Sequence, residues 1–273
     1  MPPRKDSKII LWKWRAFTEQ IGEDSSQVEE VLAVNRKTMK NVKFAEQIGR
    51  SWLTCEYDGK IRAYDYPPIQ GTHQECYSVI NADSEIVPAE GLDMALITHG
   101  AFSSQSAQWQ DVRNRCFGQN YVRIPNRLSW IPDKCNLAGI FMERDIRGEG
   151  LSVKINVPDV SRWKDENGIY INGDKSIIFV PRGQYRLGEH TAKSFESDGF
   201  SRAIFGDEGA EIYAKTAVDN KRTLWIFGID ISSINKPKGS VPLLESGDGY
   251  KLNLYGYDIG GKNFAFGVRA ETK

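Results

Sequence analysis

The chain has 273 residues, 40% of them apolar and 26% charged, which is too apolar for a disordered chain and long enough to bury a sizeable core. Lysine plus arginine and aspartate plus glutamate each number 36, so the formal net charge is zero and no global field gathers polyanions. No apolar run approaches the ~20 residues that cross a bilayer, so a soluble, cytoplasmic or otherwise intracellular protein with no membrane partner is expected.

The opening MPPRKDSKIILWKWR carries Arg4, Lys5, Lys8, Lys13 and Arg15 beside Trp12 and Trp14. It lacks the apolar core and small-residue cleavage site of a secretory signal. Ile10, Trp12 and Trp14 alternate as on a strand, and the same residues suit contact with nucleic acid or an anionic surface. Residues 25–49 read as a helix. Ser26 and Glu29 have capping-box spacing, Val28, Val31, Leu32, Met39, Val42 and Ala45 form an apolar stripe, and Gly49 closes it. Short strands are expected at Trp52–Tyr57 and Tyr77–Ile80, around a Pro- and Gly-rich segment (57–75) that reads as loop. His99 follows the apolar run Met94–Ile97 and is expected at a strand end facing a cleft. A second helix spans about Ser104–Phe117, with Trp109, Val112 and Cys116 on one face and Gly118 ending it.

From about residue 137 the period becomes two. LSVKINV (151–157) alternates cleanly, and residues 168–180 read as a hairpin around Asn172-Gly173, whose residue types tolerate positive φ. One or two helices are expected between 186 and 218. TLWIFGIDI (223–231) alternates Trp225, Phe227, Ile229 and Ile231, and YKLNLYGYD and KNFAFGVRA flank Ile259-Gly260-Gly261 as a terminal hairpin. The expected class is therefore α+β: a helix-containing N-terminal half and a β-rich, mostly antiparallel C-terminal half. The two regions, 1–160 and 161–273, carry no linker between them and are compatible with one continuous domain.

Cys55, Cys76, Cys116 and Cys135 are expected as reduced thiols, since no secretory signal places them in an oxidising compartment. His73-x-x-Cys76 has half of a zinc spacing, but Cys116 and Cys135 are distant and single. There is no nucleophile elbow, no phosphate-binding glycine loop, no H-E-x-x-H and no dinucleotide fingerprint. His73, His99 and His190 are the only histidines, which limits imidazole-based catalysis.

One segment carries a more specific pattern. Gly168-Ile169-Tyr170 opens the hairpin, Ile178-Phe179-Val180-Pro181 closes it, and Arg182 to His190 follow. This resembles the core of GIY-YIG nucleases, with Phe179 in place of the second tyrosine and Pro181 in place of the glycine. The resemblance implies a metal-dependent nuclease acting on nucleic-acid phosphodiesters. Tyr170 would act at the attacking water, Arg186 would stabilise the phosphate, His190 would assist proton transfer from the same helix face, and Glu245 would bind Mg²⁺. Arg113, Arg115, Arg123 and Arg127 would then contact the nucleic-acid backbone.

LSVKINVPD and SIIFVPRGQYRLG also resemble the paired core strands of mono-ADP-ribosyltransferases. That resemblance implies NAD bound by Arg123, with Asn172, Gly173 and Asp174 standing where the family has its glutamate. A third reading is non-enzymatic: a β-rich binding, assembly or structural protein. Tyr250, Tyr255, Tyr257, Phe264 and Phe266 put large rings on both faces of the expected C-terminal hairpin, which suits self-association through it.

Overall fold

The computed structural model describes residues 43–47, 51–145, 148, 159–247, 250–256 and 261–269. The expected strand at 151–157, the basic aromatic opening and residues 25–42 of the first expected helix lie outside them.

Three sheets and five helices, in an α+β arrangement, organise this part of the chain. The first sheet is built from β1 (Lys43–Gln47), β2 (Trp52–Tyr57), β3 (Lys60–Asp65), β18 (Gly267–Arg269) and β5 (Ile86–Pro88), in the order β1-β2-β3-β18-β5. Residues 43–47, expected at the end of a helix, are thus extended and pair antiparallel with 52–56. The segment 57–75, expected as loop, contains β3, β4 (Ile69–Gly71) and the start of α1 (His73–Ala82). Tyr77–Ile80 belongs to α1 and not to a strand. Its Thr72 cap accepts from the Glu75 N–H while the Glu75 carboxylate accepts from the Thr72 N–H, a capping box that fixes the helix start.

Helix α2 (Gly91–Ser103) and helix α5 (Gly199–Asp219) pack on each other at the centre of the molecule. Gly206 breaks α5 with φ 73°, ψ 170°, a conformation an L side chain rarely adopts. Between α2 and the sheets lie α3 (Ala107–Asp111) and a π-helical turn, Val112–Phe117, which bury Trp109, Val112 and Cys116 as their spacing implies. Helix α4 (Ala192–Glu196) leads into α5, filling the helical interval expected after residue 186.

The second sheet runs β14 (Lys238–Ser240), β7 (Asn126–Ile131), β8 (Gly139–Arg144), β11 (Ile177–Pro181), β10 (Ile169–Ile171), β9 (Lys164–Glu166). It contains the expected hairpin, β10–β11. The positive φ in its turn falls on Lys175 (59°), and Asn172 works by hydrogen bonding instead, accepting from the Ile177 N–H through its side chain. The third sheet runs β12 (Gly188–His190), β13 (Thr223–Phe227), β16 (Lys251–Tyr255), β15 (Leu243–Glu245), β6 (Val122–Arg123), β17 (Asn263–Ala265), β4. Most pairings are antiparallel; β13–β16 and β6–β17 are parallel.

No terminal hairpin forms. Strand β16 pairs with β13 and β15, while β17 pairs with β6 and β4, so two strands separate the expected partners. Phe264 and Phe266 are consequently buried at 2% and 1% exposure, which removes them as an interface. Strands from both sides of residue 160 share the second and third sheets, and one core cluster reaches from Leu53 to Val268. At its heart the Trp130 indole donates to the Ser240 hydroxyl at 2.8 Å and the Gly256 carbonyl at 2.9 Å. Its ring lies so close to Gly228 and Gly256 that a Cβ on either would stand 2.5 Å from it.

Candidate functional site

The third sheet has two unlike faces. Leu224, Ile226, Leu252, Leu254 and Leu244 point into the core and are at most 2% exposed. The alternate positions carry Trp225 and Phe227 on β13, Asn253 and Tyr255 on β16, and Glu245 on β15, in register across the strands. Their large rings are half-buried and form a continuous ridge. Trp225 stacks on Phe227 with ring centres 5.5 Å apart and planes 16° apart, and Phe227 stacks on Tyr255 at 4.8 Å and 12°. Tyr121 closes the row edge-on to Tyr255 at 5.7 Å. The Lys251 ammonium sits 4.7 Å from the centre of the Trp225 ring.

Polar groups fix the ridge from its β15 side. Glu245 Oε2 accepts from the Tyr255 hydroxyl at 2.8 Å and from Asn253 Nδ2 at 2.9 Å. Two buried polar atoms beside it, Trp225 Nε1 and Asn253 Oδ1, have no hydrogen-bond partner among the described residues. Their residues are cross-strand neighbours, so unsatisfied donor and acceptor capacity is concentrated in one row of the sheet.

The residues nominated by the nuclease resemblance do not share a site. Tyr170 lies on β10 of the second sheet, among Phe141, Trp163 and Phe179 in a small cluster separate from the main core. Arg186 and His190 are close together, but on an extended segment and not on a helix face: the His190 Nε2 atom is 2.8 Å from the Arg186 carbonyl. Asp198, the cap of α5, explains this local shape by accepting from the Arg186 backbone N–H at 2.8 Å. Burial raises the Asp198 carboxyl above its ordinary value, opposed by that hydrogen bond. Glu245 stands three strands from β12, about 14 Å at the usual strand spacing, so His190 and Glu245 cannot act on one phosphate. Among the described residues no group of three His, Cys, Asp or Glu side chains is placed to hold a metal ion.

The transferase nominations part in the same way. Arg123 is 2% exposed on β6 and donates to the Gly261 carbonyl at 3.0 Å, whereas Asp174 is spent within its own turn on Ser176. Of the remaining nominated arginines, Arg115 pairs with Asp111 and Arg127 with Glu143; Arg113 has no carboxylate partner among the described residues. His73 pairs with Asp145 at 3.0 Å, and Cys76 is buried against the Ile69 and Asn263 carbonyls. His99 lies in the middle of α2, buried against Thr216 of α5, and not at a strand end. All four cysteines are free thiols, Cys135 exposed and the others buried.

A cavity of about 290 Å³ lies between β8, β10, β11 and the kink of α5. Its charged groups are largely matched within the wall. Arg144 pairs with Glu90, and Arg202 with Asp207 and with the carbonyls of Glu166 and Asn167. The aromatic ridge is therefore the stronger candidate, and alternation at 223–231 was the signal for it. What the alternation did not reveal is that Tyr255, from β16, completes the stack.

No family model and no curated protein matches the chain. It is similar to a solved structure described as "Accommodation of massive sequence variation in Nanoarchaeota by the C-type lectin fold", at 11% identity and a TM-score of 0.45. That match covers 75% of this chain and 99% of the other.

Proposed function

We propose that the chain is a non-catalytic binding and assembly protein whose docking surface is the ridge Trp225–Phe227–Tyr255–Tyr121, and that its partner is a second copy of the same chain. The observation that carries this reading is the stacking itself. Phe227 stacks on both Trp225 and Tyr255, and Trp225 has Lys251 on its ring besides. Rings stacked on one another form one preassembled apolar ridge, the kind of aromatic surface that packs against another protein surface. Because the stack is already assembled, little side-chain entropy is lost when it docks. Lys251 and Glu245 flank the ridge with opposite charges, a self-complementary arrangement that a twofold axis would pair. Zero net charge leaves no long-range repulsion between copies.

Sedimentation equilibrium over a hundredfold concentration range tests the reading. The wild type should associate reversibly, and Phe227→Lys, which places an ammonium in the stack, should weaken association at least tenfold. A wild type that is monomeric throughout the range would overturn it.

A further inference from the structure

We propose that Arg113 and Arg222 form a binding site for a tetrahedral oxyanion of the phosphate or sulfate type. The site is independent of the aromatic ridge, at the base of the third sheet where the ends of α2 and α5 meet the π-helical turn. Arg222 ends the loop from α5 into β13, and Arg113 stands on the turn. Both guanidinium groups rest on one ring. Arg222 Cζ is 4.4 Å and Arg113 Cζ 5.2 Å from the centre of Phe102, near the C-terminus of α2.

Neither guanidinium has a carboxylate partner among the described residues, although two cations on one ring repel each other. Desolvation lowers the Arg222 pKa, and repulsion from Arg113 lowers it further. Arg222 Nη1 donates to the Ser246 hydroxyl, and Arg222 Nε is buried without a hydrogen-bond partner among the described residues. The neighbouring carboxylate on the strand, Glu245, points to the opposite face, where Tyr255 and Asn253 occupy it. Such a place is short of negative charge and of acceptors, and an oxyanion supplies both, bridging the two planar forks. The site is also stiff. The Ser246 N–H donates to the Phe117 carbonyl at 2.9 Å, and Phe117 packs edge-on against Phe102 at 5.6 Å, which ties the strand, the turn and the shared ring together.

The test is a chemical-shift titration of backbone amides with inorganic phosphate, sulfate and chloride at matched ionic strength. Phosphate and sulfate should give saturable shifts at Arg113, Arg222 and Ser246, and chloride should not. Arg113→Gln, at an exposed position, should weaken binding at least tenfold, as should Arg222→Lys, which keeps the charge and loses the fork. If Arg222→Lys fails to fold, Arg113→Gln decides alone. Phenyl phosphate and phenyl sulfate identify the source. An ester that binds as well as the inorganic anion marks a group carried on a larger ligand, and binding of the inorganic ion alone marks a free anion; either supports the site. No saturable shift, or a titration unchanged by Arg113→Gln, would overturn it.

Discussion

The Tyr255 hydroxyl donates to the Glu245 carboxylate at 2.8 Å. The same Glu245 oxygen takes the Asn253 amide, so the residue nominated as a metal ligand holds a tyrosine of the aromatic stack in place. Removing it in Glu245→Ala should cost about 1 kcal/mol or somewhat more, the range for a half-exposed hydrogen bond to a charged acceptor. Urea denaturation measures that cost. Adding Mg²⁺ or EDTA to the wild type should leave the midpoint unmoved.

Trp130 makes a second prediction. A Cβ at Gly256 would stand 2.5 Å from its ring, and nothing lies within 4 Å of a Cβ at Gly173. Gly256→Ala should therefore destabilise by about 1–3 kcal/mol through overpacking, while Gly173→Ala should be close to neutral. Equal urea midpoints for the two variants would contradict the packing described around Trp130.

His99 supplies a pH dependence with a definite sign. Burial, assisted by repulsion from Lys215, lowers its pKa from 6.5 to about 4. The unfolded chain takes up this proton near pH 6.5 and the folded chain near pH 4. Stability should then fall as pH drops through that window and level off below it, by up to about 3 kcal/mol from this group. His99→Gln should flatten that part of the curve in a pH series of denaturation midpoints.

Much of this architecture was readable where local signals and tertiary context agree. The β2 strand coincides with its expected span, the stripe Trp109–Val112–Cys116 is buried, and the hairpin at 168–180 forms. The differences have separate causes, and one is that adjacency in sequence is not adjacency in space. Strands β16 and β17 look like a hairpin because they flank a glycine pair, yet β13 and β15 insert themselves as the partners of β16. Tyr77–Ile80 is too short an apolar run to separate strand from helix, and the deciding signal, Thr72 with Glu75, lay just upstream. The Arg113–Arg222 pair could not be read at all, since only folding brings the turn at 112–117 beside residue 222.

The charges flanking the ridge make a further prediction. Lys251→Glu places like charges where the twofold arrangement would pair Lys251 with Glu245, and it removes the cation from the Trp225 ring. The dimer should weaken, and less so at high salt, where screening shortens the reach of the repulsion. Sedimentation equilibrium at two salt concentrations reads both effects.

The most direct measurement is photo-cross-linking from the ridge itself, with a benzophenone side chain at position 227 in otherwise unaltered protein. The account predicts a cross-linked dimer whose attachment sites, mapped by mass spectrometry, fall on Trp225, Tyr255, Tyr121 or their neighbours in the other copy. Exclusively intramolecular products, or attachment scattered over the rest of the surface, would contradict it.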